Sequence, residues 1–148
     1  MSLKNQIQEE VKNAMRAREK ERLSVLRLVS AAIKQREVDE RIELDDEQVL
    51  LVLDKMLKQR RESLELFEKG AREDLAAQER YELEVIQAFM PEPLSEAELN
   101  ELIKAAIASS GASSLRDMGA VMNALRPSVQ GRADMKLVSQ AVKSHLGA

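Results

Sequence analysis

Toward the C-terminal end of the chain, Arg116, Arg126, Arg132, Lys136 and Lys143 stand against only Asp117 and Asp134. The run Gly131-Arg132-Ala133-Asp134 precedes an amphipathic stretch, "MKLVSQAVKSHL". Asp134 is placed to cap that helix, which commits part of its charge to backbone amides. Arg132 just before the cap and Lys136 in the first turn sit where the helix dipole disfavours cations. Exposed amides at a helix start attract anions, so a glycine turn with these cations beside it suits a phosphate. A plain connecting turn explains the same residues, and from the turn alone it is the simpler account.

Other basic groups lie upstream. Arg27 and Lys34 are seven apart on one predicted helix and share a side of it. "LKQRRES" supplies Lys58, Arg60 and Arg61. Arginine presents a planar fork suited to phosphate. Arg60 falls seven after Leu53 and seven before Phe67, near an apolar stripe, so partial cover is expected. Arg61 and Glu65 are four apart and are expected to neutralise one another.

Groups that make and break bonds are few. Cysteine is absent, which excludes disulfides, thiolate nucleophiles and cysteine metal sites. His145 is the only histidine, in the last turn of the last predicted helix, where a cation suits the dipole. A serine triad would need it as base. There is no HExxH, P-loop or GxGxxG pattern. The run "EVDERIELDDE" lacks the spacing and turn glycine of a calcium loop and reads as solvated. Glu79, Glu82 and Glu84 read as solvent-facing. No catalytic residue, metal site or cofactor is expected.

The 148 residues are 44% hydrophobic and 33% charged, enough apolar content for one or two small cores. Threonine and tryptophan are absent, and the aromatics are Tyr81, Phe67 and Phe89 alone, which favours helix over sheet. With none of the three aromatics near the tail cations, stacking of unpaired bases is not available there. A nucleic-acid partner would be a folded RNA met through its backbone. Charge is uneven: residues 1–36 carry 9 basic against 4 acidic side chains, and residues 37–94 carry 8 against 17. No signal peptide or membrane span is visible, so a soluble cytoplasmic protein is the expectation.

Apolar spacing predicts an all-α fold. An antiparallel four-helix bundle is expected over residues 1–90, a proline-containing linker over 91–94, and a trihelical domain over 95–148. A turn is expected near Ala17–Lys20. Asp45 with Gln48 and Ser95 with Glu98 read as capping boxes. Gly70 and Gly111 are placed as left-handed helix ends. Ser114 is expected to cap "LRDMGAVMNAL" and Pro127 to stop it.

Three stretches taken together resemble the YqeY-like family over nearly the whole chain: "RLVSAAIKQREV", "LKQRRESLELFEKGAREDLAAQERYELEVIQAFMPEPLSEAEL" and "GASSLRDMGAVMNALRPSVQGRADMKLVSQAVKSHL". The spacing of "DMGAVMNAL" and "GRADMKLV" also resembles the tail of the B subunit of glutamine-dependent tRNA amidotransferase. The positions carried over are Met118, Gly119, Val121, Gly131, Arg132, Ala133, Asp134, Lys136 and Val138. Met118 and Val121 read as packing, and Gly119 as a point of close helix approach. The resemblance implies a tRNA-contacting tail, with transfer RNA as partner; the acidic middle and basic ends leave a synthetase or amidotransferase subunit open as a further partner. It also brings a family label, carbon–nitrogen ligase with glutamine as nitrogen donor. In the larger enzyme that chemistry belongs to a separate catalytic domain, to which nothing here is similar. The expected function is therefore tRNA binding without local catalysis, through Arg116, Arg126, Arg132, Lys136 and Lys143, extended by Arg27, Lys34, Arg60 and Arg61. A protein-interaction adaptor and a genuine ligase are the alternatives.

Overall fold

A computed structural model describes residues 2–147 and is all-α: seven helices and one short 3-10 turn, with no strand among the described residues. The chain divides into two units, Met1–Met90 and Pro91–Ala148.

The first unit holds α1 (Leu3–Arg16), α2 (Lys20–Glu40), α3 (Asp46–Lys69) and α4 (Glu73–Gln87). Its core is aliphatic: Ile7 and Ala14 of α1, Leu26 and Val29 of α2, Leu53 and Leu57 of α3, and Ile86 of α4 are buried together. Polar groups fix the helix starts. The Ser2 hydroxyl accepts the Asn5 amide. The Leu3 amide donates to Asp46 Oδ1 at 2.9 Å, so α1 is capped in part from the start of α3. Lys4 Nζ and the Leu44 amide both donate to Glu37 Oε2, at 2.7 and 2.9 Å. These two bonds hold the Glu37 carboxyl below its usual range, the lysine contributing more. The same lysine is raised above its ordinary value, chiefly by that bond.

The helix ends of the first unit differ from expectation in one respect. The Asp45–Gln48 capping box forms as predicted. Gly70, however, keeps a φ of −83°, and Ala71 takes the left-handed conformation at 54°. The amides of Ala71 and Arg72 return to the carbonyls of Glu68 and Phe67, so the left-handed residue lies one position further on than the glycine. Arg18 (58°) and Arg41 (55°) do the same after α1 and α2. The expected turn near Ala17–Lys20 is the first of these.

The second unit holds α5 (Glu96–Ser110), a 3-10 turn (Leu115–Asp117), α6 (Met118–Val129) and α7 (Met135–Gly147). Ile103, Ala106, Val121, Leu125, Val129, Val138 and Val142 form its core. Ser95 and Glu98 make the expected box, and Gly111 closes α5 at a φ of 70°. The Leu94 amide donates to the Arg132 carbonyl at 2.8 Å, which fastens residues before α5 to the turn before α7. Pro127 does not stop α6; the helix runs two residues further. The proline is exposed, so the carbonyl of Asn123 that its missing amide would have satisfied can reach water.

Candidate nucleic-acid interface

The turn that carries Arg116 is set by Asp117, whose carboxylate accepts the amides of Ser113 and Ser114 at 2.9 and 3.2 Å. Those two bonds lower the affinity of Asp117 for a proton, so the group stays ionised. It is spent on the backbone rather than on an arginine. The 3-10 turn packs on both α6 and α7. Arg116 is exposed and forms no salt bridge among the described residues.

Lys136 and Lys143 are seven apart on α7, exposed, and without a salt bridge. Their helix buries Val138 and Val142 on its other side. Asp134 caps α7 as expected: its Oδ1 accepts the Lys136 amide at 3.0 Å. Arg126, in the last turn of α6, is exposed and reaches only Asn123 Oδ1, at 3.4 Å. Gly131 takes a φ of 78°, a left-handed turn that a side chain would strain. The α6–α7 connection thus gathers Arg126 and Lys136 within about ten residues of chain.

Arg132 is placed otherwise than expected. It is half-buried, and its Nε donates to the Glu92 carbonyl at 3.1 Å. It lines a concavity with Leu94, Ala97, Glu98, Glu101 and Leu102, two of them acidic; the hydroxyl and amide of Ser95 hold the Glu98 carboxyl low, and the charge of Arg132 adds the smallest part. Arg132 therefore serves this unit's own structure with part of its fork. Four of the five tail cations, Arg116, Arg126, Lys136 and Lys143, remain open.

The basic residues of the first unit fall into two groups. Arg27 and Lys34 are exposed on α2. Arg61 is exposed, and the expected Arg61–Glu65 pair does not form, because Glu65 pairs with Lys69 at 3.1 Å instead. Arg60 is covered, as its spacing predicts. Its guanidinium lies 3.9 Å from Glu82, and its Nε is buried with no hydrogen-bond partner. An arginine so enclosed is unfit to meet a phosphate.

Two further expectations are corrected. Glu82 is buried and Glu79 half-buried, so only Glu84 of that trio faces solvent. Burial first, and the neighbouring Glu82 second, push the Glu79 carboxyl above its ordinary value. The signal was present: Glu82 is seven after Leu75 and four before Ile86, hence on the apolar stripe. Gly119 is exposed, and a Cβ there would meet nothing within 4 Å, so it does not serve close helix packing inside the unit. Met118 and Val121 do pack into the core. His145 is half-buried with its Nε2 3.3 Å from Asn100 Oδ1, a link between α7 and α5.

No group of three metal-binding side chains occurs among the described residues. No described helix is long and apolar enough to cross a membrane.

An all-helical chain with a cation-bearing second unit is the class these features define. The Yqey-like protein family matches residues 4–146, and the chain belongs to that family. It is 31% identical over 145 residues to "Altered inheritance of mitochondria protein 41, mitochondrial" of Pyrenophora tritici-repentis, covering 96% of this chain and 80% of that one. The protein of the same name from Eremothecium gossypii is 35% identical over 94 residues, 62% of this chain and 51% of that one. The one from Kluyveromyces lactis is 33% identical over 84 residues, 56% and 45% of the two chains.

Proposed function

We propose that this chain is a non-catalytic RNA-binding protein, a bundle of four helices followed by a trihelical module, in which the module meets the phosphates of a folded transfer RNA. The observation that carries the reading is the state of Arg116, Arg126, Lys136 and Lys143: all exposed, none in a salt bridge among the described residues, on elements that pack on one another. The nearest acids of the module are committed elsewhere, Asp117 to two amides and Asp134 to a cap. Backbone contact through such cations is sequence-tolerant and strongly salt-dependent. The likeness of "GRADMKLV" to the amidotransferase tail points to transfer RNA among folded RNAs. The relatives are named for mitochondria.

Filter binding of the full chain to transfer RNA tests the proposal. Four open cations predict that log affinity falls against log salt with a slope no steeper than about −3.6. Lys136→Glu with Lys143→Glu should weaken binding at least about tenfold and flatten the slope by about 2. Affinity unchanged in that double variant would remove the module from RNA binding. Arg132→Gln should act mainly on stability, since its Nε is engaged on Glu92.

A further inference from the structure

The core face of α2 consists of Val25, Leu26, Val29 and Ile33. Its opposite face is mixed, with three apolar side chains, Leu28, Ala31 and Val38, interleaved with Ser24 and Gln35. Ser24, Leu28, Ala31, Gln35 and Val38 recur at alternating steps of four and three residues, and every one is exposed. That alternation is the spacing of a two-helix coiled-coil seam, in which each seam residue inserts between four of a partner. Leu28 is 47% exposed and Val38 61%. No described residue of the first unit buries them. Arg27 and Lys34 flank the seam on one side, seven apart, where a coiled coil carries the charges that select its partner. Neither forms a salt bridge among the described residues.

The other flank opens into a groove of about 490 Å3 between α2 and α3, floored by Ala32, Val52 and Met56. Among the charges there, Arg36 pairs with Glu40 at 2.6 Å, while Asp39 accepts from the neutral amide of Gln35 at 2.8 Å and keeps its charge. Lys55 on the α3 wall is exposed and adds a third cation without a salt bridge. Arg27, Lys34 and Lys55 thus outnumber Asp39, the acid of the groove lining without a salt bridge among the described residues, although Lys34 also acts on Glu37.

From this we infer that the outer face of α2 and the groove beside it dock an acidic amphipathic helix of another protein, with leucine-type residues every three and four positions and glutamates on its flanks. The seam gives the contact area, and Arg27, Lys34 and Lys55 give the sign of the partner. An RNA backbone would gain nothing from Leu28 and Val38. A second copy laid antiparallel on the same seam would bring Arg27 and Lys34 against their own counterparts, which repel. The surface belongs to the first unit and does not depend on RNA binding by the second.

The probe is a fluorescein-labelled peptide of four heptads with Leu at the seam positions and Glu at the flanking ones, whose like charges keep it from pairing with itself. Titrated with the full chain, its anisotropy should rise saturably. Leu28→Ser with Val38→Ser should weaken binding at least about tenfold while leaving the melting temperature in place, since both side chains are exposed. Arg27→Glu with Lys34→Glu should weaken it similarly and bind a Lys-flanked peptide better instead. The inference falls if the Glu peptide does not bind, if wild type binds both peptides equally, or if the serine variant binds as wild type. It also falls if light scattering finds a dimer that the serine variant dissolves, which would make a second copy the occupant. Loss of transfer-RNA binding in the serine variant would overturn it too, making the face an RNA surface.

Discussion

Replacing Gly119 by alanine adds a methyl group to the outer side of α6, where it meets nothing within 4 Å. The glycine has no left-handed backbone to support, and it sits at the second residue of a 12-residue helix. Alanine should therefore lower the entropy of the unfolded chain and clash with nothing. Such exchanges stabilise by about 0.4–1 kcal/mol, and a first-turn position lies toward the lower end. Through RT, that range raises the protection of the α6 amides by roughly 2- to 5-fold. Hydrogen exchange read by mass spectrometry on peptides covering residues 118–129 of the full chain measures it locally. Gly111→Ala is the opposing control: its φ of 70° makes alanine strained, and protection at the end of α5 should fall. A loss of protection in Gly119→Ala would refute the reasoning, and would mean that the glycine is needed by a conformation other than this helix.

Ala71→Gly relieves a left-handed alanine and should raise stability by about 0.5–1 kcal/mol, read as a shift in the urea midpoint. Glu37 is held ionised by Lys4 and the Leu44 amide, so its contribution is present at neutral pH and lost as pH falls through its depressed value. Glu37→Gln should then lower the melting temperature at pH 7, with the difference from wild type closing in acid. Glu79 has the opposite sign. Burial raises it, so its ionised form opposes folding at neutral pH, and the penalty fades as pH falls toward the unfolded value of about 4.3. Glu79→Gln should raise the melting temperature at pH 7 and leave it unchanged near pH 3.

Side-chain caps made most helix boundaries readable from the sequence. Asp45 with Gln48, Ser95 with Glu98, and Asp134 act over three or four residues, so a local pattern suffices. What was not readable depends on partners far along the chain. The Glu92 carbonyl that takes Arg132 is 40 residues away, and no local rule links them. Gly70 drew the left-handed assignment because glycine tolerates it best, yet the hydrogen-bond closure of α3 places that conformation on Ala71. By local rules Pro127 is a stop, because an interior proline costs a bond. On an exposed side water can replace that bond, and the helix continues. Glu82 shows the reverse case, where a charge on an apolar stripe was read by its type instead of its position.

The start of α1 is fastened by Asp46 and Glu37, which stand 43 and 33 residues from the groups they bind. On a ribosome those carboxylates emerge well after the first helix has left the exit tunnel. Before then its apolar side can meet α2 alone. The N-terminus of α1 is therefore secured only after the start of α3 has been made.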